Sequence, residues 1–244
     1  MTLLRVRQGT AAQARGITIV IDVIRAFSVA GYAFAGGARS IWLVRGVDEA
    51  HALRENDPEA LLAGEVQGRR IPGFQFNNSP AQMAQADVQG KRLIQRTGAG
   101  TQGAVNAQHA SHILLCALTN ARATAQYARK LAETTGEPIT LFPTASYEQQ
   151  GAQNEDEICA DYVEALLHKQ TDAQELLARG IAHLYNSQRF NGWRDNDPDF
   201  PTADIAAVLD IDRFQFAMEG HSRQWNDILY IEARHIDYSP IDDL

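Results

Sequence analysis

Four groups of polar residues have the types and spacing to hold a cation and an anion side by side. Asp22 ends the apolar run Ile17–Ile21, with Arg25 three residues further on. Glu65 follows the apolar Ala60–Ala63 and opens a loop carrying Arg69 and Arg70 that closes on Asn78-Ser79-Pro80. Thr97-Gly98-Ala99-Gly100-Thr101 is a glycine-rich turn, and Gln153-Asn154-Glu155-Asp156 opens an acidic helix start. Carboxylates without His or Cys company suit a hard, oxygen-ligated cation, Mg2+ first. Arginines and the backbone amides of a glycine turn suit a carboxylate, sulfonate or phosphate. No H-x-x-H, H-E-x-x-H or G-x-S-x-G pattern occurs, so zinc and serine-hydrolase chemistry are not expected.

Each group also has a structural reading. A lone buried carboxylate costs several kcal/mol unless a cation or donors meet it, so Asp22 could simply cap the next helix or pair with Arg25. Glu65 could pair with Arg69 or Arg70 at the surface. Glu155 and Asp156 are favoured at a helix start by the macrodipole alone. Gly98-Ala-Gly100-Thr-Gln-Gly103 fits the dinucleotide pattern G-x-G-x-x-G, but the acid needed about 20 positions later for a ribose is missing, since no Asp or Glu lies between Val88 and Ala132. That acid-free stretch is compatible with a small, highly charged anion.

These groups need a scaffold, and the strand and helix signals supply one. Strands are expected at Ile17–Val23, Ser40–Val44, Ala60–Ala63, Lys91–Arg96, Ile113–Ala117 and Pro138–Phe142, with late strands near Phe214–Met218 and Ile228–Ile231. Helices are expected from Arg25, Val47, Pro80, Gln102, Asn120, Glu155 and Ala173, with a short one near Ala203; Ser79-Pro80 gives an N-cap followed by proline at the first helical position. Alternation at this spacing predicts an α/β, three-layer α/β/α architecture with a mostly parallel, mixed sheet, its antiparallel tail at an edge. Ligands of such sheets bind beyond the carboxyl ends of the strands, where all four polar groups fall. The chain reads as one domain of 244 residues, with any subdivision expected in the polar loop 186–201.

A formal charge of −8 argues against general nucleic-acid binding, and the partner expected is a small anionic substrate. No long apolar run is present, so neither a signal peptide nor a membrane span is expected, and the location expected is cytoplasmic. Cys116 and Cys159 read as buried, reduced thiols. A homo-oligomer is compatible with this size, although no residue demonstrates one. His221 and Trp225 receive no role.

Taken together, Val20-Ile-Asp22-Val-Ile-Arg25-Ala26, Gly64-Glu65, Pro72-Gly73-Phe74, Asn78-Ser79-Pro80, Gly90-Lys91, the Thr97–Thr101 turn, Asn120-Ala121 and Glu155-Asp156 resemble the ComB-like 2-phosphosulfolactate phosphatases of coenzyme M biosynthesis. The resemblance implies an α/β/α fold and a Mg2+-dependent phosphatase for a small phosphorylated sulfonic acid. It assigns the metal to Asp22 and Glu65, assisted by Glu155 or Asp156. Phosphate would fall to Arg25, Asn78, Ser79 and the turn Thr97, Gly98, Gly100 and Thr101, and the sulfonate or carboxylate to Arg69 or Arg70. Asp22 could act as nucleophile or as base. The chain departs from the family where Gln75 replaces an Asp, Asn77 a Gly and Ala99 an Asn. Those departures leave open a divergent hydrolase for another phosphorylated acid, or a silent anion-binding protein.

Overall fold

The computed structural model describes residues 2–145 and 154–237. Gln153 lies outside them. Ten strands form one sheet: β1 (Leu3–Arg5), β2 (Ile17–Ile21), β3 (Ser40–Val44), β4 (Leu61–Val66), β5 (Arg69–Arg70), β6 (Arg92–Arg96), β7 (His112–Cys116), β8 (Ile139–Pro143), β9 (Phe216–Trp225) and β10 (Ile228–Asp237). The α-helices are α1 (Ala26–Ala35), α2 (Val47–Asn56), α3 (Pro80–Met83), α4 (Gly100–Asn106), α5 (Ala121–Thr135), α6 (Glu155–Leu167), α7 (Ala173–Asn186) and α8 (Ala203–Val208).

The strand order is β1-β8-β2-β7-β9-β10-β3-β6-β4-β5. β1, β8, β2 and β7 form one parallel wing, and β3, β6 and β4 another. The β9–β10 hairpin joins them, antiparallel to β7 on one side and to β3 on the other. The antiparallel tail is therefore not an edge, as its position last in the sequence suggests, but the centre of the sheet. Its strands are also longer than expected. Buried residues of β9 and β10 (Met218, Ile231, Ala233) join the principal core with those of both wings, which is what fixes the hairpin there.

The first helix explains the shape. Ala26 to Phe34 is buried at every position, and a helix that is apolar all round belongs inside a protein. Strand twist of roughly 20–25° per step lets the sheet wrap around α1 and α4, whose core includes Val20, Ala63, Leu93 and Phe142. On the outer face α5, α6 and α7 cover the first wing, with Ile19, Leu114 and Leu141 beneath them, and α2 covers the second. Wrapping brings the carboxyl ends of β2, β4 and β6 around one cleft.

Candidate functional site

A cleft of about 510 Å3 opens where those strand ends meet. Asp22 follows β2 and is held by the neighbouring β7 and the start of α1: its amide donates to Cys116 O at 3.1 Å, and its Oδ1 accepts from the Ala26 amide at 2.9 Å. Its Oδ2 has a longer approach from the Thr144 hydroxyl at 3.5 Å. Burial pushes the Asp22 carboxyl up to about 6; the Ala26 amide opposes this, and the charges of Glu155 and Glu65 reinforce it. Glu65 is fixed by two amides, Gly98 to Oε1 and Gly68 to Oε2, each at 2.6 Å. Both carboxylates line the cleft.

Asp156, in the first turn of α6, accepts from the Val23 amide at 2.8 Å and the Ala145 amide at 2.9 Å. Burial raises it well above the usual carboxylate range, with Asp22 and Glu155 adding to the shift. Glu155 makes a two-point pair with Arg189, whose Nε donates at 2.9 Å. Burial works against the Arg189 charge, but Glu155, Asp156 and Asp22 outweigh it and raise its pKa. Asp22 is thus the link between Glu65 on one side and Glu155 and Asp156 on the other, and of the four only Asp22 and Glu65 line the cleft.

The glycine turn does something other than expected. The Thr97 amide donates to Thr101 Oγ1, the Thr101 amide to Thr97 Oγ1, and the Gly98 amide to Glu65. The Gly100 amide faces Asp22 and lowers its pKa slightly against burial. The turn is thus mainly a fastener for the carboxylates. Ala99 lines the cleft wall beside them. Thr97 and Gly98 line the cleft, whereas Thr101 is buried behind them. Gly100 is required here: a Cβ on it would stand 2.6 Å from Asp22 Oδ2 and 2.6 Å from Ala26 Cβ. Gly100→Ala is expected to cost about 1–3 kcal/mol through overpacking and to displace the Asp22 carboxylate, which a thermal melt and kcat measured together would show.

The remaining predicted residues divide. Asn78 is buried and lines the cleft. Ser79 caps α3 as the sequence indicates, accepting from the Gln82 amide at 3.3 Å, but its hydroxyl donates to Asp204 at 2.6 Å and it stands outside the cleft. Arg69 and Arg70 also lie outside it and are exposed. Both serve Asp199: Arg69 pairs with its carboxylate at 3.2 Å, and the Arg70 amide donates to it at 3.1 Å. The Arg70 side chain instead reaches the carbonyl of Phe74. Of the three departures, Gln75 is exposed and accepts from the Leu62 amide, Asn77 clamps Asp199, and only Ala99 faces the cleft.

The segment 187–201, within the polar loop expected at 186–201, is a strap over the site. It supplies Arg189, Trp193 and Phe200 to the cleft wall. Arg25 anchors it: the guanidinium lies about 5 Å from the Trp193 and Phe200 rings (5.1 and 5.2 Å) and donates to Asp199 O, Asp204 and Gly68 O. Two of its nitrogens are thereby committed to the protein, so Arg25 holds the strap while itself lining the cleft. The aromatics Phe190, Trp193 and Phe200 within a polar, Asp-rich run were the signal that could have marked this segment.

Among the described residues no three or more of His, Cys, Asp and Glu close into a ready metal cage. Mg2+ asks for less, commonly one or two carboxylates with waters and substrate phosphate. Mutually repelling, buried carboxylates, with Asp22 Oδ2 thinly satisfied, fit such a cation.

The chain is 42% identical over 151 residues to a probable 2-phosphosulfolactate phosphatase of Bacillus subtilis, covering 62% of this chain and 64% of that protein. Proteins of the same printed name from Deinococcus radiodurans and Caldicellulosiruptor saccharolyticus are 42% identical over 117 residues (48% of this chain, 49% of the relative) and 34% over 145 (59% and 59%). In each case the match spans less than two thirds of the relative's own length. A family model described as 2-phosphosulpholactate phosphatase matches residues 4–192, which takes in every cleft carboxylate and Arg189 but stops short of Trp193, Phe200 and Asp204. With more than half of its length matched, this chain belongs to the 2-phosphosulpholactate phosphatase family.

Proposed function

We propose that the chain is a Mg2+-dependent phosphatase that hydrolyses 2-phosphosulfolactate, or a close phosphorylated hydroxy acid, to the hydroxy acid and phosphate. The observation that carries this reading is the cleft in which Asp22 and Glu65 meet beside Arg189 and Asn78, in a chain of this family. Asp22 and Glu65 would hold the metal, with Glu155 and Asp156 supplying negative charge behind them. When bound, the ion polarises phosphoryl oxygens and neutralises charge developing on them.

The chain's own residues do the rest. The amides of Gly98 and Gly68 fix the Glu65 carboxylate, and the Ala26 amide fixes Asp22, so neither must reorganise during reaction. Asn78 and Ala99 line the same cleft, and the Asn78 side chain and the Ala99 amide would donate to phosphoryl oxygens. Arg189, which lines the cleft with Arg25, would take the sulfonate or carboxylate by the two-point geometry it already uses on Glu155. Trp193 and Phe200 on the strap limit water access from one side.

Arg189→Ala is expected to raise KM by about 10- to 100-fold, the worth of a charge-assisted pair, with a smaller change in kcat. Arg69→Ala should leave both within about twofold, because its pair with Asp199 is exposed and such pairs contribute little. Equal effects of the two variants would remove Arg189 from the binding role.

A second reading, hydrolysis of another phosphorylated small acid, is favoured by Ala99 alone, since it stands at the cleft wall where the family resemblance has an Asn. Phosphate release across 2-phosphosulfolactate, phospholactate and phosphoglycerates separates the two. A preference of kcat/KM for the sulfonate supports the first reading, and preference for a carboxylate-only substrate supports the second.

A further inference from the structure

A second cleft, of about 310 Å3, lies between α5 and the C-terminal end of α6. Glu155 and Asp156 open α6 at the first site, and its thirteen residues put the two clefts roughly 20 Å apart. Arg122, Arg129 and Lys169 line this second cleft with Gln126 and Gln170, over an apolar floor from Leu166. None of its described lining residues is a carboxylate, in a chain of formal charge −8. Arg122 is matched by Asp212 at 3.1 Å and donates to the Tyr162 hydroxyl. Arg129 has a 3.9 Å approach to Glu133, whose side chain is largely exposed, and a pair of that kind neutralises little. Lys169 makes no ion pair with another described residue.

The backbone at Lys169 supplies an independent reason to look here. It follows the C-cap His168 with φ 53°, and the next amide, Gln170, donates to Ala165 O at 2.9 Å. That is the left-handed position of a Schellman turn, which glycine ordinarily fills because it carries no Cβ penalty. A lysine there is disfavoured by its backbone, and what it adds is a cation at the mouth of the cleft.

We propose that this cleft is a second anion site, taking the phosphate group of a small phosphorylated metabolite on Arg129 and Lys169 while Gln126 and Gln170 meet hydroxyls of its organic body. The test is calorimetric titration of the full chain with glycerol 3-phosphate and, separately, with inorganic phosphate, both in chelator. Wild type is expected to show a binding event that Lys169→Gly and Arg129→Ala each weaken by at least about tenfold. Lys169→Gly should do so with an unchanged or higher Tm, because glycine relaxes the turn, so loss of binding cannot be put down to unfolding. Wild-type binding in both variants overturns the site, and so does an effect confined to oligomeric state. Inorganic phosphate binding as tightly as glycerol 3-phosphate contradicts the part assigned to Gln126 and Gln170. None of these outcomes depends on whether the first cleft is catalytic.

Discussion

Asp22→Asn is expected to lower Mg2+-dependent phosphate release by roughly 10³-fold, since several kcal/mol of metal-centred charge stabilisation would be lost. The same variant should make the metal-free protein more stable at pH 7. Asp22 is buried, and its carboxyl is pushed from its ordinary value of 3.8 to about 6 by burial first, then by Glu155 and Glu65. Between pH 3.8 and 6 the native state holds a proton that the unfolded chain has released, so stability falls as pH rises through that window. Above about pH 6 the deficit is complete, on the order of 1–3 kcal/mol. Asparagine keeps an acceptor for the Ala26 amide and removes the charge. In chelator, the Tm of the variant should therefore exceed wild type at pH 7 and match it near pH 4. Added Mg2+ should raise wild type far more than the variant. A lower Tm for Asp22→Asn at pH 7 in chelator would mean that the carboxylate is held by favourable contacts and that no cation is wanted there.

The largest effect on stability is expected from Asp204→Ala. Asp204 is fully buried, pairs with buried Arg25 at 2.9 Å, and also accepts from the Ser79 hydroxyl at 2.6 Å and the Ala81 amide at 3.0 Å. Removing one member of a buried pair leaves the other charge uncompensated, at about 3–5 kcal/mol. At about 2–4 °C per kcal/mol for a chain of this size, the Tm should fall by about 6–20 °C. Because the same pair anchors the strap, cleavage within 187–201 should accelerate in limited proteolysis even below the melt. A Tm change under about 2 °C would show that Arg25 finds another partner and that the strap does not depend on this pair.

Much of the scaffold is readable because its strands are short, β-branched and bounded by turn signals. Ile17–Ile21, Ser40–Val44 and Ile139–Pro143 are buried at every position, as parallel strands covered on both faces must be. Ser79-Pro80 announces α3 by its cap chemistry, although the helix itself is only four residues long. The hairpin was misplaced for a different reason. Local pattern reports that Phe216–Trp225 and Ile228–Asp237 are strands, but which strands they join depends on contacts more than a hundred residues away, with Ile113, Leu114 and Ile41–Leu43.

The same division applies to the site. Asp22, Glu65, Asn78, Thr97 and Gly98 could be found because each stands where an apolar run meets a polar turn. The arginines could not be sorted by sequence. Arg69 and Arg70 have the adjacency expected of an anion grip, yet they serve Asp199 at the surface, while Arg189 reaches the cleft from a helix end 120 positions later. Residue type tells which side chains could bind an anion, and only the path of the strap decides which of them reaches the cleft.

The most direct measurement is phosphate release from 2-phosphosulfolactate by the purified full chain, with Mg2+ and then with chelator. The account predicts turnover with the metal and loss of turnover in chelator, restored when Mg2+ is returned. Turnover undiminished by chelator would contradict the carboxylate-held cation, and no turnover of this substrate by the folded, Mg2+-loaded protein would contradict the assigned activity.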